Sequence, residues 1–165
     1  MRRGFEEEPS SMTWTRRILT ACLVAAAPAM AAAGTVSPDD VEFIDDTAVP
    51  ASLTGTPGNA ENGREVFANR KLGNCLACHA DSDLNNELFH GEIGPPLDGV
   101  ADRWEASELR AILVNSKMVF GEQTIMPSFY RLKNGAREME KFQGKPILTA
   151  EQVEDVIAYL QTLKE

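Results

Sequence analysis

The run Cys75-Leu76-Ala77-Cys78-His79 constrains this chain more than any other stretch. Two thiols three residues apart reach both vinyl groups on one side of a porphyrin. The imidazole that follows lies under the ring, where one of its nitrogens can bind iron. C-x-x-C alone also serves thiol redox chemistry and zinc, but zinc needs a second pair of ligands and no second Cys pair exists. The spacing therefore predicts one covalently attached haem c, with His79 as the proximal ligand and Cys75 and Cys78 as its anchors.

With 165 residues the chain has room for one domain, a leader and a tail. A formal charge of −9 with no Lys/Arg-rich run argues against nucleic acid, because phosphate contacts need clustered cations. Arg16-Arg17 precede the uncharged apolar run Ile18 to Ala29, and Ala29-Met30-Ala31 and Ala31-Ala32-Ala33 both fit an A-x-A cleavage site. The run of about twelve residues is too short to cross a bilayer. Residues 1–33 thus read as a leader with a cleaved signal peptide, giving a periplasmic protein with no membrane anchor in its mature form. Cys22 sits at the wrong end of the run for a lipoprotein box. Arg16-Arg17 would also suit twin-arginine export, but haem is attached to an unfolded chain after export, which favours the general secretory route. Glu6-Glu7-Glu8 is odd at a signal start, and translation from Met12 would remove it. Once Cys22 has left with the signal and Cys75 and Cys78 hold haem, no free thiol and no disulfide remain.

Residues 34–57, with Pro38, Pro50, Pro57 and several Asp, read as an irregular arm carrying a small apolar patch, Val41, Phe43 and Ile44; it is a surface tail or a clamp onto a partner. Residues 58–165 form the haem domain. Asn59 to Asn69 reads as a helix capped by Asn59 and faced by Val66 and Phe67, in which Gly63 is costly unless another backbone approaches closely. Ile93 to Val100 has many φ-fixing residues and no period, hence a rigid loop. Leu109, Ile112 and Leu113 mark a helix over Glu105 to Lys117 with Ser107 as a plausible cap, and Val119 to Tyr130 reads as loop. Arg131 to Pro146 is a charged excursion. Thr149 and Gln152 form a capping box before the stripe Val153, Val156, Ile157, Leu160 and Leu163. The domain is expected to be all-α, three to five helices around the haem.

Four residues compete for the sixth position on iron. His90 stands only eleven residues beyond His79, in a polar loop, and reads as a solvated surface residue. Met118 follows a helical run and suits core filling, while Met139 lies among charges. Met126 precedes Pro127, which pushes it into extended backbone and holds its thioether away from any helix. It is the best candidate, with simple packing as the alternative. Met/His ligation closes the iron and suits electron transfer. The Pro95 carbonyl, in a stiff loop after the motif, could hold the second nitrogen of His79. Leu97 would pack on the ring. Trp104, Arg103, Tyr130 and Arg131 suit the propionate end, or equally edge packing and surface charge.

The order Gly63…Phe67, C-x-x-C-H, Ile93-Gly94-Pro95-x-Leu97-x-Gly99, Met126-Pro127 and Ala158-Tyr159-Leu160 resembles class I cytochromes c across about residues 58–164. That resemblance implies that Gly63 lets the last helix cross against Tyr159, that Pro95 accepts from the proximal His, and that Met126 binds iron. Residues Arg70 to His79, Ile93 to Arg103 and Met126 to Arg131 further resemble the SoxX family, the small monohaem subunits of SoxAX cytochromes in sulfur oxidation. Membership implies a periplasmic heterodimer with a SoxA-like subunit. It also implies a part in an L-cysteine S-thiosulfotransferase, which joins thiosulfate to a cysteine of a SoxYZ-like carrier, and a downstream acceptor for the electrons. Residues 131–145 fit the family least.

The residues set their own limit on that role. Joining thiosulfate to a thiol removes two electrons, whereas one iron accepts one at a time, and the mature chain has no thiol to carry sulfur. Bond formation therefore belongs to a partner and this chain drains electrons, with the haem edge near Cys75 and Cys78 as the exit. A free carrier between respiratory complexes is the alternative of another class. An open-iron sensor or peroxidase is a third.

Overall fold

The computed structural model describes residues 34–165, together with Met1 and Gly4. The expected export signal, its cleavage site and Met12 lie outside the described residues. The chain divides after Ala31, and the account below concerns the unit Ala32–Glu165.

Four α-helices and short 3-10 turns build this unit: α1 (Ala60–Ala68), α2 (Val100–Arg103), α3 (Ala106–Phe120) and α4 (Ala150–Leu160). Among the described residues there is no strand, only an isolated bridge between Ile44 and Ala48. The all-α expectation holds. Helix α1 starts as its cap dictates, with Asn59 Oδ1 accepting from Asn62 N at 2.9 Å. Helix α4 starts with the full Thr149/Gln152 capping box. Helix α3 departs from expectation at both ends. Its cap is Glu105, in a box with Glu108, rather than Ser107, and it runs on to Phe120, so that Met118 is helical and exposed rather than core filling. Helix α2, a single turn, lies at the end of the loop expected to be irregular.

The packing centre is the crossing of α1 and α4. A Cβ on Gly63 would stand 1.9 Å from the Asp155 carbonyl oxygen and 2.9 Å from Tyr159 Cβ, so only glycine admits this approach. Asn59 N donates to Asp155 Oδ1 at 2.6 Å beside the crossing. The Tyr159 ring meets Phe67 edge-on at 5.5 Å. Its hydroxyl donates to buried Asp81 at 2.7 Å and lies 3.0 Å from Asp83. Burial, then the bond to Asp81, pushes the Tyr159 hydroxyl far above its usual range.

The arm at residues 34–57 is neither a loose tail nor free to clamp a partner with its apolar groups, because it is folded onto its own domain. Val49 and Leu53 are 2% and 1% exposed, Val41 and Phe43 pack against the core, and only Ile44 of the apolar patch points out. A buried ion pair anchors it. Arg110 meets Glu154 through two bonds, Nε to Oε1 at 2.7 Å and Nη2 to Oε2 at 2.9 Å. Arg110 also donates to Val49 O, and Glu154 accepts from Leu53 N, both at 2.8 Å. Tyr130 adds a bond from its hydroxyl to Val36 O at 2.6 Å.

Candidate haem site

The thiol pair sits on a tight 3-10 turn, Cys75–Ala77, entered through Asn74 in the left-handed region at φ 50°. Both Cys78 N and His79 N donate back to Cys75 O at 3.0 Å. The loop after the motif then returns alongside it. Gly91 N donates to Leu76 O at 2.7 Å, Gly94 N to Cys78 O at 2.8 Å and Leu97 N to Ala80 O at 2.9 Å. Two glycines make this closeness possible: a Cβ on Gly91 would lie 2.1 Å from Ala77 O, and one on Gly94 would lie 2.4 Å from His79 Cε1. Arg103 stiffens the same loop by donating to Asp98 O at 2.6 Å and Pro96 O at 2.9 Å.

The outcome is one fixed imidazole. His79 Nδ1 lies 2.8 Å from Pro95 O. A carbonyl only accepts, so Nδ1 carries the proton and Nε2 keeps its lone pair. The expected Pro95–His79 contact is therefore present. Leu97, Met126, Trp104, Leu72 and Cys75 are each partly buried and pack against the core.

Met126 lies on the loop after α3, where its own carbonyl accepts from the buried Ser116 hydroxyl at 2.7 Å. His90 is not the solvated surface residue expected of it. Its Nδ1 accepts from Asp81 N at 3.3 Å and its Nε2 lies 3.1 Å from Leu84 O, so both nitrogens are engaged by backbone in a half-buried ring. The apolar Leu84, fully buried beneath this loop, was the one signal in the sequence that the loop is structured. Met139 is exposed, as its charged neighbours imply. Of the residues considered for the propionate end, Tyr130 and Arg103 spend donors on Val36 O and on the loop carbonyls, Arg131 donates to Asn115 Oδ1 at 3.3 Å, and Trp104 packs edge-on against Phe120.

This donor set fits a haem. The imidazole is locked in the tautomer a metal needs and is seated on a glycine, where a side chain would displace it. Cys75 and Cys78 are not joined in a disulfide. Burial pushes the Cys75 thiol up to about 12, the reverse of the lowered value that thiolate redox centres and zinc sites use. Among the described residues there is no cluster of three metal-ligating side chains of the His, Cys, Asp and Glu kind.

The profile of the cytochrome c family matches residues 60–164. The chain belongs to the cytochrome c family, and with that membership comes a covalently attached haem c. Within that family the likeness narrows. A chain of the solved SoxXA structure from P. pantotrophus is 46% identical over 79% of this chain and 99% of its own length, with a TM-score of 0.73. This supports the SoxX resemblance carried by residues 70–79, 93–103 and 126–131. No curated protein gives a significant match. Among the described residues no helix is long and apolar enough to cross a membrane.

Proposed function

We propose that this chain is the electron-accepting monohaem subunit of a SoxXA-type cytochrome, paired in the periplasm with a SoxA-like subunit. Its electrons come from the coupling of thiosulfate to a cysteine of a SoxYZ-like carrier and pass to a downstream acceptor. The observation that carries this reading is the 46% identity to a SoxXA chain, taken with the backbone-locked His79 that such a subunit would need. Cys75 and Cys78 would hold the haem, His79 Nε2 and the Met126 sulfur would bind its iron, and Leu97 would pack against the ring.

When bound, haem c supplies a one-electron couple. The rest of the assignment follows from the chain's own groups. Coupling a thiol RSH to thiosulfate gives RS–S2O3⁻, one proton and two electrons, so a new sulfur–sulfur bond forms while both sulfur partners lose electrons. Among the described residues Cys75 and Cys78 are the only cysteines, and with both taken up in thioether links to the haem no thiol would be left to hold a sulfur intermediate. The sulfur chemistry therefore lies on the partner subunit, and this chain takes the electrons singly. Pro95 holds the proton on His79 Nδ1, raising the basicity of the opposite nitrogen. Met126, as an iron ligand, would exclude exogenous ligands and raise the reduction potential.

Affinity purification of this chain from the periplasm of thiosulfate-grown cells tests the assignment. A stoichiometric haem-bearing partner is expected. A strictly monomeric protein would favour the free carrier instead.

A further inference from the structure

We infer that Asn115, Ser116 and Ser128 are positioning residues for the Met126 sulfur, acting through a break built into helix α3. This rests on Met126 being the sixth ligand. Helix α3 is regular except at Asn115, whose backbone stands at φ −146° and ψ 77°. Neither glycine nor proline lies in the helix, so the usual causes of a kink are missing. The cause is the set of bonds gathered there. Asn115 Oδ1 accepts from Met118 N at 3.3 Å, from Ser128 Oγ at 3.2 Å and from Arg131 Nη1 at 3.3 Å. Ser116, next along, donates its hydroxyl to Met126 O at 2.7 Å. The Leu113 carbonyl, just before the break, accepts from Phe129 N at 2.8 Å.

The loop 126–131 is thus sewn to the helix at Met126, Ser128, Phe129 and Arg131. Ser116 and Ser128 are both fully buried, and their hydroxyls lie 3.4 Å apart. A buried hydroxyl in an otherwise apolar core costs free energy unless it is bonded. Here the side-chain bonds of the two serines all run between the helix at Asn115 and Ser116 and the loop that carries Met126. A core that needed only filling would place Ala or Val at both positions. A Met thioether is a weak, neutral ligand on a flexible stem, so fixing the backbone beneath it removes most of its freedom to swing away.

The test uses the haem-loaded protein with Ser116→Ala, Ser128→Ala, the hydroxyl-retaining Ser116→Thr, Met126→Ala, and Val156→Ala. The last removes methyls from a fully buried position on α4 and controls for lost stability. Two signals are read: the ferric Met–iron absorption band, and the rate at which added imidazole binds ferric haem, which is limited by Met release. Ser116→Ala and Ser128→Ala should each bind imidazole about fivefold to tenfold faster, the size of one buried hydrogen bond. Ser116→Thr should return towards the native rate. Val156→Ala should leave the rate unchanged at a comparable drop in melting temperature. Native rates in both serine variants, with the band lost in Met126→Ala, would overturn the positioning role and leave the ligand assignment standing. A band that survives Met126→Ala would overturn the assignment and this inference with it.

Discussion

The crossing of α1 and α4 at Gly63 can be perturbed by a single methyl group. Replacing Gly63 with Ala places a methyl 1.9 Å from the Asp155 carbonyl oxygen and 2.4 Å from its carbon. The obstacle is helix backbone, which cannot swing aside as a side chain does. To restore ordinary contact, α1 and α4 must part by roughly 1.5 Å, enough to forfeit about half the dispersion attraction across the seam. The Phe67–Tyr159 edge contact lies in that seam. Overpacking of this depth costs about 3 kcal/mol. Alanine returns about 1 kcal/mol of helix propensity, leaving a net loss of about 2 kcal/mol. Denaturant unfolding of the haem-loaded protein measures it. Gly135→Ala, with nothing within 4 Å of the added methyl, is the matched control and should stay within about 0.5 kcal/mol of native. A Gly63→Ala protein as stable as native would refute the argument that the crossing demands glycine.

Other perturbations follow from the same contacts. Gly94→Ala drives a methyl into the His79 ring and breaks its bond to Pro95 O, so the ligand becomes less basic and the reduction potential should rise; an unchanged potential in a redox titration would contradict the role of Pro95. Glu154→Leu strands the buried Arg110 and should cost about 3–5 kcal/mol, with faster proteolysis within residues 34–57, while the double variant with Arg110→Met recovers most of the loss. Asp83 is held below the usual aspartate range by its bond to Arg64 and then by Tyr159. Its contribution is therefore complete above about pH 3.9 and is lost as pH falls through the lowered folded value. Melting curves of Asp83→Asn should accordingly lose part of the native acid sensitivity, and an identical acid limb would count against the pairing.

How far the sequence could be read depended on whether a feature declared itself locally. Helices α1 and α4 carried their caps and stripes in plain order, and Gly63 announced the crossing because a mid-helix glycine needs a reason. The His79–Pro95 contact followed from a stiff loop placed soon after the motif. What stayed hidden depends on partners distant in sequence. The arm's docking rests on Arg110 and Glu154 meeting Val49 and Leu53, which no local pattern encodes. His90 looked solvated because its neighbours are polar, yet the backbone of Asp81 and Leu84 claims its ring. The break at Asn115 was masked by apolar periodicity that runs through it, since the bonds that cause it come from residues 128 and 131.

The central claim is that this chain takes electrons and leaves sulfur chemistry to a partner. Stopped-flow absorbance of the haem tests it directly. The purified oxidised protein is mixed with thiosulfate and a SoxYZ-like carrier bearing a free cysteine, first alone and then with a SoxA-like subunit. The account predicts that the haem stays ferric in the first mixture and is reduced in the second. Rapid reduction without the partner subunit would contradict it.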